Sequence, residues 1–63
     1  MRTLFEQHVG ERAFISFSND WKMEGKVSKV SNEYVVLETG YSGPEQFVFV
    51  ALSAIVRIYF KPA

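Results

Sequence analysis

From Trp21 to Thr39 the chain reads WKMEGKVSKVSNEYVVLET. Met23, Gly25 and Val27 alternate there with Lys22, Glu24, Lys26 and Ser28. One side of the stretch is apolar or tiny and the other polar, which is the period-two pattern of a half-buried strand. Gly25 falls in its middle. Glycine weakens a strand interior, so its use there is to let the strand bend sharply or to let another backbone come close. Ser31, Asn32 and Glu33 then predict a polar turn, and Tyr34 to Leu37 resume with tyrosine, two valines and leucine as the partner strand.

The pattern upstream predicts a helix over Thr3 to Val9. Thr3 and Glu6 have capping-box spacing, Leu4, Phe5, His8 and Val9 share one side, and Gly10 ends the helix. A helix of about two turns does not hold itself together in water, so its Leu4 and Phe5 face must lie on the rest of the chain. Arg12 to Ser18 alternates with Ala13, Ile15 and Phe17 on its core side, and Asn19 and Asp20 form a tight hairpin into Trp21. Thr39 to Gln46, with two glycines and a proline, is the one open loop.

Phe47 to Phe60 differs from everything before it, because only Ser53 and Arg57 are polar. It predicts two strands turned at Ser53 and Ala54, with both faces requiring burial. The outward side chains are Phe47 and Phe49, or Val48 and Val50, depending on register. Val56, Ile58, Tyr59 and Phe60 complete an apolar surface that this short chain cannot cover, so another copy of the chain is the expected partner. The whole reads as one domain, 1–63, mostly β: a short helix in 1–10, then five strongly bent strands in 11–60 forming a small barrel.

With 63 residues, a domain buries only about 60% of the surface its unfolded chain exposes, so contacts with partners matter to its stability. There is no cysteine, which excludes a disulfide framework or zinc ribbon. Seven basic and seven acidic residues balance, which argues against non-specific attraction to nucleic acid or to a membrane. The longest apolar run, Phe47 to Leu52, is far short of the roughly 20 residues of a membrane span. The start of the chain also lacks the apolar core of a signal peptide. The expectation is a cytoplasmic protein with no membrane partner.

His8 is the single histidine, so neither a catalytic triad nor a paired-histidine metal site can be assembled in one chain. It reads as a helix residue without a chemical role. Asp20, Glu24, Glu33, Glu38 and Glu45 fall in turns, loops or outward strand positions, and read as solvated surface rather than an acid and base pair. No enzyme activity, cofactor or metal is expected. Lys22, Lys26 and Lys29 line one strand and its end, with Glu24 between the first two, and read mainly as a charged outer face. Tyr34 and Tyr41 have the ring faces on which bases stack. Arg57 either meets a ligand or pairs with an acid of a neighbouring copy.

A short helix, five bent strands and a glycine in the second strand together resemble the Sm-like fold of the Sm, LSm and Hfq proteins, and most closely its short bacterial barrels. The resemblance spans roughly Leu4 to Tyr59. Its specific parts are GKVSKVSNEYVVL, Gly25 to Leu37, similar to the first Sm motif, and FVFVALSAIVRI, Phe47 to Ile58, similar to the paired last strands. It implies a ring in which the fourth strand of one copy pairs with the fifth of the next. It also implies an RNA pocket at the two turns, here carried by Asn32, Tyr34, Ser53 and Arg57. The family's aspartate and asparagine, however, are replaced by the Ser31, Asn32, Glu33 turn and Val35 or Val36. Its basic turn is replaced by Ala51, Leu52 and Ser53. The residues therefore favour a self-assembling structural or protein-interaction module, with RNA or single-stranded nucleic-acid binding as the alternative.

Overall fold

The computed structural model describes residues 2–62. A short helix α1 (Arg2–Glu6) precedes five strands: β1 (Arg12–Phe17), β2 (Lys22–Val30), β3 (Tyr34–Glu38), β4 (Phe47–Ala51) and β5 (Ile55–Lys61). All five join one antiparallel sheet in the order β4-β3-β2-β1-β5. β4 and β5 are its two ends. Hydrogen bonding within the chain therefore leaves the sheet open and does not close it into a barrel.

The sheet wraps around a core on one face. Ala13, Ile15, Val27, Leu37, Val35 and Val50 point to that side and are buried. The alternation of β2 carries through Gly25 and Val27 and then slips. The ladder to β3 runs Val27 to Leu37 and next Lys29 to Val36, so Ser28 is an extra residue. Such a bulge bends its strand and increases the twist, which lets one long strand serve β1 on its first half and β3 on its second. At Gly25, β2 leaves no room for a side chain beside Leu37 and Glu38 of β3. A Cβ built on it would lie 3.0 Å from the Glu38 carbonyl oxygen and 3.0 Å from the Leu37 Cβ.

α1 is shorter than its sequence pattern. Thr3 lies within the helix rather than capping it, and its carbonyl accepts the Gln7 N–H at 3.1 Å. The helix ends at Glu6, ahead of the expected stop at Gly10; the chain then runs through a turn to Gly10, which has φ of +91° and whose N–H donates to the Val27 carbonyl at 2.9 Å. Only Phe5 enters the core, because a single helical turn can aim one large side chain at it; Leu4 and Val9 remain exposed. The Phe5 ring meets Phe60 of β5 edge-on at 5.5 Å.

His8 has a packing role that its position in the sequence does not reveal. Its ring stacks on Phe60 at 4.1 Å with planes 9° apart, and its Nδ1 lies 2.8 Å from Glu11 Oε1. Replacing His8 by alanine removes a stacking interaction and a hydrogen bond each of about 1 kcal/mol. The expected result is a lower melting midpoint with unchanged circular dichroism, and calorimetry checks it.

The connections follow the turn residues. Asp20 takes φ of +66° in the β1–β2 hairpin, where the Asn19 side chain accepts the Trp21 N–H at 3.2 Å. The 39–46 loop is less free than its composition indicates. The Thr39 hydroxyl donates to the Glu45 carbonyl at 2.6 Å and the Thr39 N–H to the Gln46 carbonyl at 2.9 Å, closing its base around a short 3-10 turn, Gly43–Glu45. Leu52–Ala54 forms a second 3-10 turn with Leu52 buried, the corner read from Ser53 and Ala54.

Candidate functional site

The register of β4 is fixed by its ladder with β3. Val48 and Val50 stand beside Leu37 and Val35 on the core side, so Phe47 and Phe49 face outward, Phe49 with 67% of its surface exposed. On β5, Ile58 and Phe60 turn inward beside Ile15 and Ala13, while Val56 and Tyr59 are exposed. The expected interface residues thus divide in two. Phe47, Phe49, Val56 and Tyr59 present side chains outward. Val48, Val50, Ile58 and Phe60 pack on the core and offer a partner only the backbone of an end strand. Among the described residues β4 bonds only to β3, and β5 only to β1.

The two turns expected to carry the pocket do meet. The Leu52 N–H donates to the Glu33 carbonyl at 2.9 Å, which seats the Leu52–Ala54 turn against the Ser31–Glu33 turn. Ser31 closes its own turn, its Oγ accepting the Glu33 and Tyr34 N–H groups at 3.4 Å each. Asn32 and Ser53 are exposed here, but the Asn32 side-chain oxygen is engaged by Arg2, which also reaches Glu6 at 3.2 Å. Tyr34 leans on Phe49 at 5.3 Å and 45°.

Arg57 is not part of that end. It lies opposite Ser16 of β1, with its guanidinium 6.0 Å from the Tyr59 ring centroid. A concavity of about 640 Å³ opens there, with Phe14, Ser16, Lys22, Arg57 and Tyr59 in its lining and Tyr41 and Glu45 reaching it from the 39–46 loop. Asn32, Tyr34 and Ser53 line none of it.

Ladder partners share a face, so the outer face of β2, β1 and β5 is built in three rows. Lys22, Ser16 and Arg57 form the first. Glu24, Phe14 and Tyr59 form the second. The third is Lys26, Arg12 and Lys61, with Glu38 of β3 beyond Lys26. A second concavity of about 530 Å³ continues past the first and is lined by Arg12, Lys26 and Lys61. Five of the seven basic residues of a chain with no net charge occupy this one face. Of these, only Arg12 has an ion-pair partner among the described residues, Glu24 at 3.3 Å.

The lysines of β2 are legible in the sequence; the rest of the face is not. Its signal is Arg57, Tyr59 and Lys61, polar or amphipathic residues at every second position in a strand read as apolar on both sides. Among the described residues no three His, Cys, Asp or Glu side chains are grouped to hold a metal ion, and no helix is long and apolar enough to cross a membrane. No protein-family model matches this chain, and the searches of curated proteins and of solved structures return no match.

Proposed function

We propose that this chain is a self-assembling structural or interaction module of the Sm-like type, working by binding rather than catalysis in the cytoplasm, with β4 of one copy paired to β5 of the next. The observation that carries the reading is the strand order, which leaves β4 and β5 each with one unpaired edge. Their sequences, FVFVA and IVRIYFK, contain no proline, and their only charges are Arg57 and Lys61. Natural edge strands are normally blunted by charge, proline, bulges or a cover, because an unpaired edge is a template for another chain. Joining unlike edges is a head-to-tail contact, which ends either in a ring or in a fibre. The bulge and close approach at Gly25 curve the sheet and favour the ring.

Hydrogen exchange on the intact chain tests this directly. Amides along Phe47–Ala51 and Ile55–Lys61 should be protected at high protein concentration and lose protection on dilution. Amides of β4 and β5 that are not bonded to β3 or β1 exchanging at turn-like rates, independent of concentration, would contradict the assembly.

A second reading is an RNA-binding ring whose pocket is formed at the two turns by Asn32, Tyr34 and Ser53, without the Arg57 that the resemblance implies. The contact of the Leu52–Ala54 turn with the Ser31–Glu33 turn favours it. In that case alanine at both Asn32 and Ser53 should abolish oligonucleotide affinity. Binding that withstands the double change lies elsewhere on the molecule.

A further inference from the structure

The geometry points to the outer face of β2, β1 and β5 as a track for single-stranded nucleic acid, separate from the turn pocket. Two rows of cations flank one row of aromatic rings. Phe14 and Tyr59 are direct ladder partners and therefore neighbours on the same face. The Lys22 and Arg57 row lies two residues to one side of them and the Lys26, Arg12 and Lys61 row two residues to the other. At about 3.3 Å per strand residue, the cation rows stand roughly 13 Å apart with the rings midway. A strand whose bases stack on Phe14 and Tyr59 then has cations on both sides for its phosphates. This is the combination of stacking platform and electrostatic groove that binds single strands without reading their sequence.

Charge and shape both select this ligand. Lys22, Lys26, Arg57 and Lys61 have no ion-pair partner among the described residues, so phosphate does not have to displace an acid from them. Glu24 stands in the ring row itself, paired with Arg12, and Glu38 and Glu45 border the face; all three limit its strength. Two adjoining concavities lie along these rows, the first also lined by Ile15, Met23 and Val48, and an indented surface suits a chain lying along it. All the lining groups come from one copy, so the track does not depend on assembly.

Fluorescence anisotropy of the full chain with labelled 12-residue oligo-U and oligo-A, at about 50 and 200 mM salt, tests the proposal. Non-specific binding of this kind falls in the 10⁻⁶ to 10⁻⁴ M range, roughly, and weakens linearly in log salt. Lys22→Ala with Lys26→Ala removes one cation from each flanking row. β2 is central, so neither free edge is disturbed. The expected result is a fall in affinity of about tenfold or more, with the salt slope reduced by about 1.4, near 0.7 for each phosphate that is no longer neutralised. Arg57→Ala with Lys61→Ala should do the same from the other side. Tyr59→Leu should lower affinity about fivefold or more, since it removes the aromatic ring on which a base stacks while keeping apolar bulk.

Asn32→Ala should leave affinity unchanged. Loss of binding in that variant alone would assign the ligand to the turn pocket. Affinity unaltered by the two lysine changes, or no binding at low salt, would overturn the track. Binding to phosphatidylserine vesicles but to neither oligonucleotide would overturn it in favour of a membrane surface. Sizing each variant alongside separates a defective track from a defective assembly.

Discussion

Replacing Gly25 by valine should strongly destabilise this protein. The new Cβ alone would sit 3.0 Å from the backbone oxygen of Glu38 and 3.0 Å from the Leu37 Cβ, and valine adds two methyl groups at the same place. Neither neighbour is the movable end of a flexible side chain. One is main chain in the β2–β3 ladder, and the other is fixed to a buried leucine. Overpacking a core ordinarily costs about 1–3 kcal/mol, and a clash against backbone belongs at or above the top of that range. A chain of 63 residues has a total stability of roughly 3–9 kcal/mol, so a cost of this size consumes much of it. Thermal and denaturant melts measure the effect, with Gly25→Ala expected between valine and the parent. A valine variant that melted with the parent would mean that β2 and β3 do not approach as described.

The second large effect concerns assembly. Lysine at Phe49 should abolish the proposed assembly and give a monomer while leaving the fold intact. Phe49 is 67% exposed on the outer side of an end strand, so within one chain the change costs little beyond its packing on Tyr34, about 0.5–1.5 kcal/mol. Between copies the same change removes an apolar side chain whose burial contributes roughly 1.5–3 kcal/mol at every junction, and it puts a charge on the joining edge. Sedimentation velocity distinguishes the outcomes. Lysine at Val48 is the control, because that side chain packs on the core and its replacement should lower stability rather than only dissociate copies.

Much of the fold is legible in the residues because short-range rules decide it. The period-two alternation of β1 and β2, the turn chemistry at Asn19 and Asp20, and a glycine in mid-strand each specify local geometry that nothing in the tertiary structure opposes. Three features resist. The helix reads too long, since Thr3 and Glu6 have capping spacing wherever the helix starts and only packing shows that Phe5 alone reaches the core. The facing of β4 is open in the sequence because an apolar residue stands at every position of FVFVA, and register is then set by the partner strand. The basic face is hidden because its residues come from three strands; Arg12, Arg57 and Lys61 become neighbours only once β5 has paired with β1. The order of the strands is likewise a long-range outcome. It is also what leaves β4 and β5 as open ends.

Assembly through those ends is the claim on which the functional reading depends most, and native mass spectrometry of the unmodified chain at micromolar concentration tests it most directly. The expected spectrum shows one closed multiple of the 7.2 kDa subunit, with no ladder of intermediate sizes, because a ring has no free edge left to extend. A spectrum containing only a stable, soluble 7.2 kDa monomer would contradict the account.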